Sequence, residues 1–399
     1  MNSQRPHPSA APLRVAIIGA GRRAQSYARC LAARPEAYRC VGVADLVLHA
    51  AEALARQLGC DAVAELDSLF EQCTPDAVFV TTPASVHHAI SMIALERGIH
   101  TLCETPIALT VPLAREVERV AESSGTVFMV AENAQRDSIP KVWLSVAASG
   151  LLGSLSRVIC HNFQAGTHAT ALMRSLVGAP AIRVQSLTQE SPVELPSPKR
   201  EHWSAGLITY ANGCLGSFES CSLTPSRQLG RHKGLRMELH GSNGMLTGRS
   251  LYLSTRPQPF KLVDVTKEDG ASYTEICIDG PATELWPAPF STSTHPDAAL
   301  LEILDEFSAQ VHARRATSNA EREAFTPSYT IDDAIHDLST QLALEESARQ
   351  QGQPVNLPLT QCTTFEAQLH QRFADRHGVD PFDAAAASRL RFSNARPGR

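Results

Sequence analysis

Residues 13–24 read LRVAIIGAGRRA, a mostly apolar run that leads directly into a glycine-rich turn. The run predicts a buried parallel strand, and the residues after the turn begin a helical pattern. In such a turn Gly19 allows the tight bend, Gly21 lets the backbone approach a diphosphate, and the small Ala24 lets the helix pack closely against the strand. The stretch therefore predicts a dinucleotide-binding strand–turn–helix unit.

An acidic residue at the end of the next apolar run supports this interpretation. The free N–H groups at the start of a helix favour phosphate, and the side chains of Arg22 and Arg23 are available nearby. Asp45 lies 21 residues beyond Ala24, where a carboxylate can accept hydrogen bonds from both hydroxyls of a ribose. Because that carboxylate would repel a 2′-phosphate, the pattern favours NAD over NADP, although the two arginines leave NADP open.

Strands and helices alternate from residue 13 to about residue 130. The further predicted strands are at 39–44, 76–81, 100–103 and 127–130, and the predicted helices are at 23–33, 48–58, 66–73, 86–97 and 111–124. Such alternation is typical of a doubly wound parallel sheet. We therefore predict an α/β fold with an N-terminal Rossmann domain at 13–133.

The pattern changes after about residue 150 to successive short runs separated by turns. Predicted strands are at 154–164, 183–190, 206–211, 214–222, 235–240 and 250–255. The pair Asn212-Gly213 and the stretch 241–244 favour tight turns between neighbouring strands. Two long helices are predicted at 297–313 and 330–350. We expect residues 134–358 to form an α+β substrate and oligomerisation domain with a large, mostly antiparallel open sheet.

Composition and the chain ends limit the possible partners. Residues 1–12 are predicted to be a disordered tail, and 359–399 a C-terminal extension whose end, from 384, is disordered.

The chain of 399 residues has a formal net charge of −5, and its basic residues are not concentrated, so no nucleic-acid partner is expected. No apolar run is long enough to span a membrane. The ten cysteines form no CxxC pair, so we expect no metal site and a cytoplasmic protein with reduced thiols.

Two later segments resemble a known family. Residues 81–87 read TTPASVH and residues 103–106 read CETP, each directly after a predicted strand. With the glycine turn, their order and spacing resemble the glucose–fructose oxidoreductase/inositol dehydrogenase (Gfo/Idh/MocA) family, and the resemblance extends over most of the chain. It implies a Rossmann domain followed by a C-terminal domain whose open sheet carries the interface of a homodimer or homotetramer.

The resemblance also implies which residues hold the cofactor and the substrate. The cofactor-binding residues expected from it and from the glycine pattern are Gly19, Gly21, Arg22, Arg23, Ala24, Asp45, Thr82, Pro83, His87, Glu104 and Asn133. In the family Glu104 mainly positions the turn and the cofactor. His87 and its neighbour His88 have a second interpretation, as residues that cap a helix or face solvent.

This sequence departs from the family at two catalytic positions. Redox-active relatives have a lysine where Thr105 stands, and an aspartate four residues before the active-site histidine, where this chain has Gln164 before His168. Neutral histidine suits general acid–base work near neutral pH, whereas threonine and glutamine only orient a ligand. We therefore predict His168 as the acid–base group, with Gln164 and Thr105 as orienting groups.

Three functions stay open at this point. The first is an NAD(P)-dependent oxidoreductase that acts on a sugar, a polyol or a related small metabolite by hydride transfer. The second is a non-redox enzyme that uses NAD transiently for elimination, epimerisation or glycoside cleavage. The third, motivated by the missing lysine and aspartate, is a non-catalytic dinucleotide-binding protein.

Overall fold

The structure of this chain is a computed structural model that describes most of the sequence. The described residues are 11–161, 166–190, 202–221, 236–255, 260–266, 273–278, 290–293, 295–315 and 327–390. They form two compact units. The first contains the chain up to residue 133, 299–338 and the chain from 366 onward, and the second contains 134–298 and 339–365.

The described strands follow in chain order. They are β1 (Leu13–Ile18), β2 (Tyr38–Ala44), β3 (Asp61–Val63), β4 (Ala77–Val80), β5 (His100–Cys103), β6 (Phe128–Val130), β7 (Leu155–His161), β8 (Ala181–Glu190), β9 (His202–Tyr210), β10 (Leu215–Cys221), β11 (Arg236–Gly241), β12 (Gly244–Thr247), β13 (Ser250–Leu253), β14 (Phe260–Thr266), β15 (Tyr273–Ile278), β16 (Phe290–Ser293) and β17 (Val355–Asn356).

The described helices lie between and after these strands. They are α1 (Arg22–Ala32), α2 (Leu48–Leu58), α3 (Leu66–Cys73), α4 (His87–Glu96), α5 (Val111–Ser124), α6 (Ser138–Ala148), α7 (Thr167–Val177), α8 (Ala298–Arg315), α9 (Ile331–Arg349), α10 (Thr364–His377) and α11 (Ala384–Ala387). No helix in the described ranges is both long and apolar enough to cross a membrane.

The first unit is built on a six-stranded sheet in the order β3-β2-β1-β4-β5-β6. Every neighbouring pair is parallel. Strands β1 and β4 are almost fully buried because helices cover both faces, which is why they read as continuous apolar runs in the sequence. The predicted α/β fold with a doubly wound sheet is confirmed.

Helix α8 packs within the first unit. Phe307 lies against Phe79 of β4 with ring centroids 6.0 Å apart. Asp305 receives two hydrogen bonds from Arg34, at 2.8 and 3.0 Å. The prediction assigned this helix to a contiguous second domain at 134–358, and the contacts instead place residues 299–338 in the first unit. The assignment of this helix could not be predicted, because the sequence shows that one face of the helix is apolar but not which of the two sheets that face covers.

The C-terminal segment also packs within the first unit. The carboxylate of Glu366 in α10 accepts a hydrogen bond from the backbone N–H of Val111 at 2.8 Å. Phe373 and Ala387 are buried together in one hydrophobic core of the first unit. Disorder was expected from residue 384, but residues 384–390 contain α11 and its buried alanine, so this expectation is wrong for them. Residues 391–399 and 1–10 lie outside the described ranges.

The second unit contains an eleven-stranded sheet in the order β16-β15-β14-β13-β12-β11-β7-β10-β9-β8-β17. Its neighbouring strands are antiparallel except β7 and β10. The predicted Asn212-Gly213 turn joins β9 to β10, with Gly213 at φ +84°. One face of the sheet packs against α6 and α7 to form the core of this unit. The predicted large, mostly antiparallel sheet is confirmed.

Candidate functional site

The carboxyl ends of the parallel strands bring several of the predicted residues together. Strand β1 lies between β2 and β4, and the order of strands in the sheet reverses at this point. In open α/β sheets, ligands bind in the crevice outside the carboxyl ends of the strands at such a switch point. The loops after β1, β2, β4 and β5 therefore form the candidate site of the first unit.

The glycine turn is held tightly against the loop after β4. Gly19 has φ +98°, a conformation that favours glycine. A Cβ atom on this residue would lie 2.9 Å from three backbone atoms of Thr81 and Thr82. The Thr81 hydroxyl donates to the Gly19 carbonyl at 2.7 Å. Only glycine fits this position, as the sequence pattern predicts.

The space over Gly21, by contrast, is open. A Cβ atom built there meets no atom within 4 Å, and Gly21 is the N-cap of α1 with no side chain capping the helix. Arg22 is exposed, whereas Ala24 is fully buried where the helix packs against the sheet. An open backbone at the positive end of a helix fits the diphosphate of a dinucleotide.

Asp45 follows β2 and its carboxylate is directed to the glycine turn. One oxygen accepts from the backbone N–H of Ala20 at 2.7 Å, and the other accepts from the N–H of Val47 at 2.8 Å. Each carboxylate oxygen has a second lone pair, so both can still accept from hydroxyl groups. The carboxylate is fixed beside the turn, an arrangement that fits a ribose next to a bound diphosphate.

Glu104, which follows β5, organises the first turns of α1. Its Oε1 atom accepts from Arg23 Nε and from the Tyr27 hydroxyl, each at 2.7 Å. The side chain of Glu104 is 12% exposed and that of Arg23 is 34% exposed, so this ion pair is partly shielded from water. Burial, followed by the charge of Glu104, raises the pKa of Tyr27 well above its usual value. Glu104 thus holds the first turns of α1 and orients Arg23, and its role in positioning the turn and the cofactor stays a prediction.

Tyr27 is a site residue that the sequence analysis missed. It lies four residues after Arg23 on α1, and the guanidinium carbon of Arg23 is 5.6 Å from the centroid of its ring. The i, i+4 spacing of an arginine and an aromatic residue on one helix face is the signal that could have revealed the pair.

His87 connects two loops of the site. Its Nδ1 lies 2.8 Å from the Pro106 carbonyl, and its Nε2 lies 2.9 Å from the Thr82 carbonyl. Carbonyl oxygens only accept, so both ring nitrogens donate and the imidazole is a cation. Burial lowers the pKa of His87, but the Cys103 sulfur and the two carbonyls raise it by more, to about 9.

This geometry corrects one interpretation of the neighbouring histidines. His87 and His88 are 2% and 0% exposed, so neither faces solvent. Both ring nitrogens of His87 contact loop carbonyls, so the ring supports these loops, and a direct contact between His87 and a cofactor stays a prediction. His88 donates from Nε2 to the Pro381 carbonyl, and burial lowers its pKa to about 4, so that it is neutral.

The remaining predicted cofactor residues lie on the same edge of the sheet. Thr82 is half-buried, and its buried hydroxyl oxygen has no hydrogen-bond partner among the described residues. Pro83 is exposed, and Asn133 is half-buried at the end of the first unit. An orphaned buried hydroxyl beside the glycine turn is a further observation that fits a ligand at this edge.

The predicted catalytic residues are distributed over both units. Thr105 follows Glu104 in the first unit, is half-buried, and forms a cis peptide bond with Pro106. His168 is the second residue of α7 in the second unit and is half-buried. Gln164 lies outside the described residues. Within those residues no group of three or more histidine, cysteine or acidic side chains is arranged to hold a metal ion.

Comparisons with known proteins support the dinucleotide interpretation. An "Oxidoreductase family, NAD-binding Rossmann fold" model, GFO_IDH_MocA, matches residues 13–132, and the GFO/IDH/MocA C-terminal domain model matches residues 162–247. Together these matches cover about half of the chain.

Individual relatives match mainly in the N-terminal part. The D-glucoside 3-dehydrogenase of Escherichia coli K12 is 36% identical over 121 residues, which are 30% of this chain and 34% of that protein. The match thus spans about a third of that relative's length. The inositol 2-dehydrogenase of Rhizobium meliloti 1021 is 24% identical over 257 residues, which are 60% of this chain and 76% of that protein.

A solved structure extends the likeness to nearly the whole fold. The inositol dehydrogenase homolog from Azotobacter vinelandii, crystallised with NAD+, is similar with a TM-score of 0.69 and 21% identity. The similarity covers 89% of this chain and 100% of that one. At this identity it shows the shared fold, and with the two domain matches it agrees with the six-stranded and eleven-stranded sheets described above. The chain belongs to the Gfo/Idh/MocA oxidoreductase family.

Proposed function

We propose that this protein is an NAD-dependent oxidoreductase that acts on a sugar, a polyol or a related small hydroxy compound. The observation that carries the proposal is the pairing of an open, uncapped helix start at Gly21 with the Asp45 carboxylate fixed beside it. When bound, the nicotinamide supplies a hydride acceptor or donor. Asp45 favours NAD, because a 2′-phosphate beside this carboxylate would be repelled.

The residues of this chain would divide the remaining work. His168 is proposed to take the proton of the substrate hydroxyl and to return it in the reverse direction, for which an imidazole is suited near neutral pH. Thr105 and Gln164 are proposed to orient the substrate through hydrogen bonds, since neither side chain exchanges a proton at this pH. Without the lysine of other family members, the positive charge beside a developing alkoxide would be absent.

The experiment is to mix the protein with NAD and a panel of sugars and polyols and to follow the ultraviolet absorbance of NADH. We expect turnover on at least one compound and a loss on the order of 10²–10⁴-fold in kcat for His168→Ala. The matched control is His49→Ala, which removes an exposed imidazole on α2 and is expected to leave the rate unchanged.

Three other outcomes separate the alternatives. Product formation without net NADH would favour a non-redox reaction that uses NAD transiently. Thermal stabilisation by NAD without turnover on any compound would favour a non-catalytic dinucleotide-binding protein. Equal activity of His168→Ala and the wild type would remove His168 from the mechanism.

The outward face of the large sheet is proposed as the interface of a homodimer or homotetramer. It exposes large apolar side chains on three neighbouring strands, among them Leu187, Trp203, Leu207 and Leu215. Such a contiguous patch is typical of a surface that binds another protein. Light scattering of the wild type and of Trp203→Lys tests this interface, and we expect the variant to contain more monomer than the wild type.

We also propose a cytoplasmic location, which cell fractionation would test.

A further inference from the structure

Two cysteines lie side by side at the edge of the six-stranded sheet. Cys40 is in β2, and Cys60 directly precedes β3, which pairs with β2 in parallel. Their Sγ atoms are 3.5 Å apart, both thiols are free, and both residues are partly exposed. The backbones that carry them are held by the Gly42↔Asp61 register, so the proximity is built into the sheet.

The separation of the sulfur atoms is close to what a disulfide needs. An S–S bond is about 2.05 Å long, so the two atoms must approach by roughly 1.5 Å. We expect rotation about the two Cα–Cβ bonds to supply this movement while the pairing of β2 with β3 is kept. Both residues are partly exposed at the edge of the sheet, which gives a small oxidant access to this edge.

The surroundings also assign different roles to the two thiols. The Cys60 thiol donates to Cys40 Sγ, and the Cys40 thiol lies 3.6 Å from the Gly42 carbonyl. When Cys60 loses its proton, the thiol of Cys40 can donate back to the thiolate. This hydrogen bond lowers the pKa of Cys60 and raises the pKa of Cys40. The lowered pKa favours the thiolate, the reactive form, at Cys60.

We propose that Cys40 and Cys60 form a reversible disulfide when the protein meets a hydroperoxide. The Cys60 thiolate attacks the peroxide, the O–O bond breaks, and the released oxygen takes a proton to leave as water or an alcohol. The resulting sulfenic acid on Cys60 is attacked by Cys40 Sγ, which forms the S–S bond, breaks the S–O bond and releases water. The two thiols supply two electrons, and the peroxide accepts them.

The disulfide would enclose residues 40–60, a loop that contains α2 and Asp45. A dithiol reductant would reopen it by thiol–disulfide exchange. The modification is separate from the proposed redox chemistry on NAD, because neither cysteine belongs to the candidate cofactor residues. Its test therefore does not depend on whether the protein turns over any substrate.

The experiment treats the folded full-length protein with a small molar excess of hydrogen peroxide, blocks the remaining thiols and maps tryptic peptides by mass spectrometry. Cleavage after Arg39 and Arg56 places Cys40 and Cys60 on different peptides. We expect these two peptides to be joined, with the loss of two hydrogen atoms in mass, and to separate after treatment with dithiothreitol.

Variants identify the partners within the joined peptides. The Cys60 peptide also contains Cys73, which is buried in α3. The link should therefore persist in Cys73→Ser and in Cys362→Ser, which removes an exposed thiol distant in sequence from the pair, and should be lost in Cys40→Ser and Cys60→Ser. A link that forms only after denaturation, a link through Cys73, or no link in the folded wild type would overturn the proposal, and the wild-type result does not depend on any variant folding.

Discussion

The two glycines of the turn should respond in opposite ways to the same substitution. Gly21→Ala places a methyl group where no atom lies within 4 Å, at φ −78°, so the fold accepts it. Loss of the glycine N-cap lowers the free energy of unfolding by at most about 1 kcal/mol. The less flexible unfolded chain raises it by a similar amount, so the two effects nearly cancel. The same methyl group would stand between the helix start and a diphosphate.

The expected loss is in cofactor affinity. One charge-assisted hydrogen bond lost to the displaced diphosphate corresponds to about 1.5–3 kcal/mol. At 1.4 kcal/mol per factor of ten, the Kd for NAD should rise roughly 10- to 100-fold. Isothermal titration calorimetry measures it, and differential scanning calorimetry should find a Tm within about 1–2 °C of the wild type.

Gly19→Ala is the matched control for this result. Its Cβ would lie 2.9 Å from three backbone atoms, at φ +98°. Strain of this kind costs about 2–4 kcal/mol, so for a unit of about 200 residues the Tm should fall by roughly 4–16 °C. Unchanged NAD affinity in Gly21→Ala, or an unchanged Tm in Gly19→Ala, would refute the reasoning.

Three further predictions concern the acidic and histidine residues of the site. Asp45→Ala should weaken NAD binding about tenfold or more and NADP binding less, because the carboxylate binds the ribose of NAD but repels the 2′-phosphate of NADP. Parallel titrations with the two dinucleotides measure both losses of affinity, and equal losses would contradict this role of Asp45. Glu104→Gln should lower the free energy of unfolding by about 1–3 kcal/mol in urea denaturation, since it removes the charge that accepts two hydrogen bonds, and an unchanged midpoint would argue against this role. The pKa of His87 is raised from 6.5 to about 9 in the fold, so its contribution to stability is fully present below pH 6.5 and is lost as the pH rises through 9. The stability difference between wild type and His87→Gln should therefore shrink over that pH window, and a difference that grows there would contradict the cationic assignment.

The parallel sheet and the glycine turn could be predicted from short stretches of sequence. A few neighbouring residues are enough to predict strand β1, Gly19 and Asp45. A buried strand, a tight turn and the end of a strand each depend on the local sequence. The helix predicted at 330–350 is present as α9, and Asp333 in its first turn accepts from both the N–H and the hydroxyl of Thr330.

The side-chain network of the site could not be predicted in the same way. The hydrogen bond between Arg23 and Glu104 joins residues 81 positions apart, and His87 reaches the carbonyl of Pro106 across two loops. Such contacts depend on how distant segments meet in space, which neither periodicity nor composition records. The same limit explains why α8 was assigned to the second domain, since its apolar face would suit either sheet.

The central claim is that a dinucleotide lies with its diphosphate on the open start of α1 and its adenosine ribose on Asp45. A crystal structure of the protein soaked with NAD tests this most directly. We predict phosphate oxygens about 3 Å from backbone nitrogens beside Gly21, and ribose hydroxyls at the same distance from the Asp45 carboxylate. NAD bound elsewhere, or a diphosphate that leaves the helix start uncovered, would contradict the account.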